Sequence, residues 1–233
     1  MKNRRKPHML GIIGGMGPLA DITFLEKLHT VDGARSDSDY IPVLYDGNCL
    51  RPDRSDYLTA KSKYSPRQSL LNSLRALENA GADIIALPCN TAHFWYPYLC
   101  RKKRRCTVIL NMVQDTCREC YVREYKTVCL LATTGTYRKN LYSEYLFRYG
   151  VDLVIPSDRQ KERISELILE IKRGKRIPIT ELEGELSDIK CDAFILGCTE
   201  LSRAFSFAPE TGKKYVDALD CLVKRTHLMF GKK

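Results

Sequence analysis

The sequence predicts an α/β protein of two similar domains, each a mostly parallel sheet flanked by helices. Three observations carry this expectation. Short apolar runs alternate with longer amphipathic stretches along the chain, the pattern of parallel strands joined by crossover helices. Runs such as ADIIALP (82–88) and CDAFILG (191–197) are unbroken, as in strands buried on both faces. The halves also repeat one another. GIIGGMGPLADITFLEKL (11–28) resembles CLLATTGTYRKNLYSEYL (129–146), and GADIIALPCNTAHF (81–94) resembles KCDAFILGCTELSRAF (190–205), in the same order.

The elements follow in chain order. MLGIIGG (9–15) reads as a strand entering a glycine turn, and 18–29 as a helix with Leu19, Ile22, Leu25 and Leu28 near helical spacing. A strand is expected at 41–47. A helix follows over 66–80, starting at Pro66 and stopping before Gly81. After the strand 82–88, a helix over 91–100 is shortened or bent by Pro97. Strand 107–112 leads to helix 113–121, and strand 127–133 leads through the TGT turn to a helix ending near Arg148. Strand 151–156, helix 159–173, strand 191–197 and a final helix 215–229 complete the reading. The first domain is expected over 1–103, with 207–233 returning to it as a C-terminal helix, and the second over 104–206.

The 233 residues suffice for one large or two small domains, and a hydrophobic fraction of 44% can supply their cores. No stretch approaches the ~20 apolar residues that span a bilayer, and the apolar run after the basic start is too short for a signal peptide. A cytoplasmic protein with no membrane partner is expected. In that setting the ten cysteines are not expected to form disulfides. The lone CREC at 117–120 lacks the second pair of a zinc ribbon and does not follow an N-terminal strand as thioredoxin-like chemistry requires, so no metal site is expected. The net charge of +10 is concentrated in RKKRR (101–105) and at the termini. Without accompanying aromatic or RNA-binding motifs, the run reads as a solvated turn rather than a nucleic-acid surface.

Cys89 and Cys198 stand apart. Each ends a buried strand and opens a polar turn into a helix, in equivalent places of the repeat. Ligands of open parallel sheets bind beyond the carboxyl ends of strands. If two such domains face each other, both thiols point into one cleft, and the helix N-termini should favour their thiolates. Asn90, Thr91 and Thr199 supply donors suited to a carboxylate. Two like acid/base groups on opposite sides of one carbon are what inversion of a stereocentre requires. Cys49, Cys100, Cys106, Cys129, Cys191 and Cys221 lack this context and read as structural.

Several motifs in register, GIIGGMGPLA (11–20), RPDRSDYL (51–58), GADIIALPCNTAHF (81–94), LLATTGTYRKNLY (130–142), EIKRG (170–174) and LGCTEL (196–201), resemble the cofactor-independent aspartate/glutamate racemase family. The resemblance covers nearly the whole chain. It implies two pseudo-symmetric domains with the active site between them, Cys89 and Cys198 as the catalytic pair, an amino-acid substrate, no cofactor and a homodimer. Glu200 stands where glutamate racemases usually carry His, which points to the aspartate-racemase-like branch. There, Arg54 and Lys172 would hold the side-chain carboxylate, a task that suits a bidentate Arg.

Thr134 and Thr136 of the TTGT turn are further candidates for the α-carboxylate. GGMG (14–17) lacks the rest of a dinucleotide fingerprint, so Met16 and Gly17 are read as backbone approaching the substrate. His93 reads as a packed or capping residue rather than a base. Arg51 could add a second cation or face water. The family also holds broad-specificity racemases, and an inactive relative that binds an acidic metabolite is the alternative from another class. Hydantoin racemases and maleate isomerases fit the PDR and TTGT motifs less well.

Overall fold

The structure, a computed structural model, describes residues 9–30, 35–206 and 212–231. Among them, two four-stranded sheets organise the chain. The first contains β1 (Leu10–Ile13), β2 (Val43–Asp46), β3 (Ile84–Ala86) and β4 (Val108–Ile109), in the order β2-β1-β3-β4. The second contains β5 (Thr127–Ala132), β6 (Asp152–Val154), β7 (Ala193–Gly197) and β8 (Tyr215–Asp217), in the order β6-β5-β7-β8. All the strand pairs are parallel. The identical order makes β3 and β7 equivalent strands, and each is the one that a predicted thiol follows.

The helices are α1 (Pro18–His29), α2 (Arg54–Leu58), α3 (Arg67–Asn79), α4 (Tyr96–Lys102), α5 (Met112–Val122), α6 (Thr134–Arg138), α7 (Ser143–Arg148), α8 (Asp158–Lys172), α9 (Ile179–Glu185), α10 (Thr199–Phe205) and α11 (Ala218–Phe230). They cover both faces of both sheets, as apolar strands on parallel sheets require. In the first sheet, Ile13, Ile85 and Leu87 pack on Leu70, Leu74 and Leu77 of α3, while Leu10, Ile12 and Ala86 pack on Phe24 of α1 and Leu219 and Leu222 of α11. In the second, Val128, Leu130 and Ile195 meet Cys117 and Cys120 of α5, while Leu131 and Leu196 meet Ile164, Leu167 and Ile168 of α8. The CREC pair is therefore core packing on α5.

Local signals explain the helix limits. The Ser157–Gln160 capping box opens α8, and α3 closes ahead of Gly81, whose φ of 99° is natural only for glycine. Pro97 opens α4 instead of bending it, because Thr91–Trp95 form a separate 3₁₀ turn. The helix expected to end at Arg148 is two helices, with Asn140 in a left-handed conformation between α6 and α7.

The expected final helix over 215–229 starts late. Tyr215–Asp217 form β8 on the edge of β7, and Asp217 then caps α11 by accepting the Leu219 amide at 2.8 Å. The expected division of the chain at 103/104 also does not match the sheets: β4 pairs with β3 in the first, and β8 belongs to the second. Among the described residues of 207–233, only α11 returns to the first core, while 207–211 and 232–233 lie outside the described residues. RKKRR ends α4 with Arg101 and Lys102 and continues into the turn before β4. There Lys103 donates to the Thr107 carbonyl at 2.5 Å and Arg104 to the Glu78 carbonyl at 2.8 Å.

Candidate active site

Most of the candidate site follows the carboxyl ends of strands. The β1–α1 turn supplies Met16 and Gly17, Arg54 opens α2, and Cys89, Asn90 and Thr91 follow β3. From the other half come Thr133 before α6, Lys172 at the end of α8, and Cys198, Thr199 and Glu200 after β7. One narrow cleft is lined by Met16, Arg54, Cys89, Asn90, Thr91, Lys172, Cys198 and Thr199, and by four residues that sequence reasoning did not select: Asp53, Ser55, Thr133 and Glu200. Its free volume is about 10 Å³, room for about one water.

The other candidates sit differently. Gly17 caps α1 beside the cleft, where a Cβ would come within 2.6 Å of Glu200 Oε1. Thr134 is exposed on α6 and does not line the cleft. Thr136 is fully buried behind it. Its hydroxyl, with those of Thr91 and Thr133, closes a triangle of 2.8, 3.1 and 3.2 Å contacts that spans the halves. Arg51 is neither a second cleft cation nor a solvated one. Its buried guanidinium holds the Gly14 carbonyl, Ser69, Ser73 and the Asp46 carboxylate, and so fixes the glycine turn from behind.

Both thiols are almost wholly buried, Cys89 at 6% and Cys198 at 5% exposure. Burial pushes the Cys89 thiol up, against the pull of the Arg54 guanidinium and the Ala92 amide. Burial and the Glu200 carboxylate push Cys198 well above the ordinary thiol range, with Lys172 opposing. The expected bias toward thiolate is therefore reversed: loss of water outweighs the helix N-termini, and both groups rest as thiols.

Cys198 Sγ donates to Glu200 Oε2 at 2.9 Å, so a proton acceptor is already in place beside it. Glu200 lies two residues on, in the first turn of α10, where its side chain folds back onto the thiol. The sequence signal was an acidic residue just after the second Cys-Thr. Glu200 Oε1 has no hydrogen-bond partner and lies 3.9 Å from Lys172 Nζ. Burial works against the Lys172 charge, but Glu200 and Cys198 outweigh it and raise its pKa.

Arg54 Nη2 donates to the Met16 carbonyl at 3.0 Å, while its Nε is buried without a partner. Asp53 caps α2 by accepting the Asp56 amide at 2.9 Å. Burial opposes its charge, but that amide, Arg54 and Lys172 hold its carboxyl below the usual range. His93 is a buried bridge. Its Nε2 accepts the Met112 amide at 3.1 Å, which leaves Nδ1–H to donate to the Cys89 carbonyl at 2.9 Å. Burial lowers its pKa to about 4, so the ring is neutral and ties the Cys89 turn to the start of α5.

Among the described residues, no cluster of three or more His, Cys, Asp or Glu could hold a metal ion, and no helix is long and apolar enough to cross a membrane. What the site offers is two thiols, one with a carboxylate base, among amide and hydroxyl donors and two cations.

The chain is 29% identical over 227 residues to the broad specificity amino-acid racemase RacX of Bacillus subtilis (strain 168), covering 94% of this chain and 96% of that protein. It resembles the solved aspartate racemase of Picrophilus torridus with a TM-score of 0.79 and 26% identity, over 97% of this chain and 95% of that one. The glutamate racemase of Francisella tularensis subsp. tularensis SCHU S4, solved with D-glutamate, shares the fold at a TM-score of 0.72 and 15% identity, over 97% of this chain and 82% of that one. A family model described as Asp/Glu/Hydantoin racemase matches residues 13–226, and the chain belongs to that family of isomerases.

Proposed function

We propose that the chain inverts the α-carbon of aspartate or glutamate, with Cys89 and Cys198 as the two proton-transfer groups. The carrying observation is that equivalent strands β3 and β7 deliver the two thiols to one cleft that also holds Arg54 and Lys172. One thiol, ionised, takes the α-proton. The electron pair left on carbon delocalises into the α-carboxylate, whose new charge falls on the donors of Asn90, Thr91 and Thr199. The opposite thiol then gives its proton to the other face. Roles exchange for the reverse direction, so proton count is conserved over each turnover.

Glu200 is the base that readies Cys198, supported by the 2.9 Å Sγ–Oε2 contact. Arg54 holds the side-chain carboxylate, supported by its buried, unpartnered Nε, and Lys172 assists. Met16 and Gly17 bound the substrate on the β1–α1 side. A cytoplasmic homodimer belongs to the same reading, the dimer being read by light scattering.

Chiral chromatography in deuterated buffer without added cofactor tests the reaction. Aspartate or glutamate should racemise and gain one α-deuterium. Cys89→Ser and Cys198→Ser should each abolish inversion while leaving slow exchange of one enantiomer. Full inversion by either variant would defeat the two-thiol mechanism.

A second reading, broad specificity, is favoured by the Lys172–Glu200 pair, which leaves fewer free cations for a side-chain carboxylate. The name of the Bacillus subtilis relative points the same way. A panel of L-amino acids decides between them: neutral substrates turning over as fast as aspartate would establish it.

A further inference from the structure

We propose that Tyr142 is a positioning residue whose hydroxyl sets the Asn90 amide, turning Nδ2 into the cleft as a fixed donor for the substrate carboxylate. This rests on the racemase reading above. Tyr142 lies between α6 and α7, in the second half, and is fully buried in that half's core. Its hydroxyl nevertheless leaves the apolar packing to donate across the halves to Asn90 Oδ1. Burial holds the phenol far above its ordinary pKa, so the group remains a donor.

Asn90 has one carbonyl oxygen and one NH₂ on the same planar group. With Oδ1 taken by Tyr142, Nδ2 must point the other way. That nitrogen is buried, has no partner and belongs to a residue lining the cleft. An orphaned buried donor is costly to leave unmet, and a carboxylate is the ligand that would satisfy it. The reverse setting would turn the amide oxygen toward a cleft that already holds the Glu200 carboxylate.

The next residue is held in the same manner. Thr91 Oγ1 meets Thr133 Oγ1 at 2.8 Å and Thr136 Oγ1 at 3.1 Å. Both residues after Cys89 in the first half are thus fixed by the 133–142 segment of the second. Tyr142 and Thr136 never touch the cleft, yet they aim the groups that do.

The test is a double-mutant cycle on Tyr142→Phe and Asn90→Ala, with melting temperature as a folding control. Tyr142→Phe keeps the ring and should lower kcat/KM about tenfold for both enantiomers, since one carboxylate donor serves both directions. In the Asn90→Ala background it should cause no further loss. Losses that multiply, or unchanged kinetics in Tyr142→Phe, would overturn the inference. A wild-type protein without α-hydrogen exchange would overturn the racemase reading instead. In that case Tyr142→Phe must still weaken aspartate binding by calorimetry, and unchanged binding would refute the positioning role on its own.

Discussion

At the scale of single residues, the thiols were legible because their sequence context repeats, but their resting state was not. Helix N-termini argue for thiolates, and only burial, a property of the fold, reverses the sign. Glu200 was equally hidden. Its place in the sequence marks a branch of the family, whereas its 2.9 Å contact with Cys198 depends on how the first turn of α10 folds back. Removing this base should lower kcat by about 10²-fold or more in Glu200→Gln, with Asn90, Thr91 and the fold undisturbed. Stopped assays on both enantiomers would measure it, and a loss under threefold would mean that Cys198 needs no carboxylate. His93 makes a different prediction. Because it bridges two backbone groups and carries no charge at neutral pH, His93→Ala should destabilise the fold by ~1–3 kcal/mol in urea unfolding, from the donor and acceptor left buried. A variant as stable as the wild type would place no structural weight on the ring.

At the scale of elements, strands such as β1, β3, β5 and β7 were legible from unbroken apolar runs, and α3 and α8 from their spacing and caps. Short pieces were not. β8 has three residues, and Val216 lies at helical distance from Leu219 and Val223, so the periodicity of α11 absorbed it. Helices α2, α6 and α10, each a turn or two long, carry too few positions for any period to show. Yet these short helices form the cleft walls, and two glycines set how closely they meet. A Cβ at Gly17 would lie 2.6 Å from Glu200 Oε1, and one at Gly135 would lie 2.8 Å from Ser55 Cα and 3.1 Å from Thr91 Cγ2. Gly17→Ala should therefore displace the carboxylate from Cys198 and depress kcat, since the neighbour is a side chain that can swing. Gly135→Ala presses on backbone of the opposite half, so it should open the α2–α6 contact and raise KM as well. Kinetics of the two variants side by side would check this, and equal effects on kcat alone would contradict it.

At the scale of the whole molecule, the buried thiols tie stability to alkaline pH. Cys120 and Cys129 are fully buried core residues, and burial pushes both up to about 12. In the unfolded chain a thiol loses its proton near ~8.5. Between these values the folded chain holds protons that the unfolded chain has released, so stability falls as pH rises, by about 1.4 kcal/mol per pH unit for each such group. Two of them alone remove ~2.7 kcal/mol per unit, a large share of the ~5–15 kcal/mol that holds a domain folded. The acid side is gentler. His93, lowered to about 4, makes stability rise with pH up to ~6.5, while Asp21 and Asp115, raised to about 6, act in the opposite sense over the same range. The two cleft thiols, in the proposed mechanism, meet the alkaline limit from the other direction. With both pKa values raised, the thiolate fraction, and with it kcat/KM, should climb as pH rises from 7 toward 9. Activity should then collapse where the core thiols begin to unfold the chain, rather than level off at a catalytic pKa. Rates and near-ultraviolet circular dichroism recorded together from pH 6 to 11 would show the fall in rate coinciding with loss of tertiary signal. A rate that declines while the signal stays native would assign the alkaline limit to a titrating group in the cleft, with Lys172 the cation placed there to lose its charge.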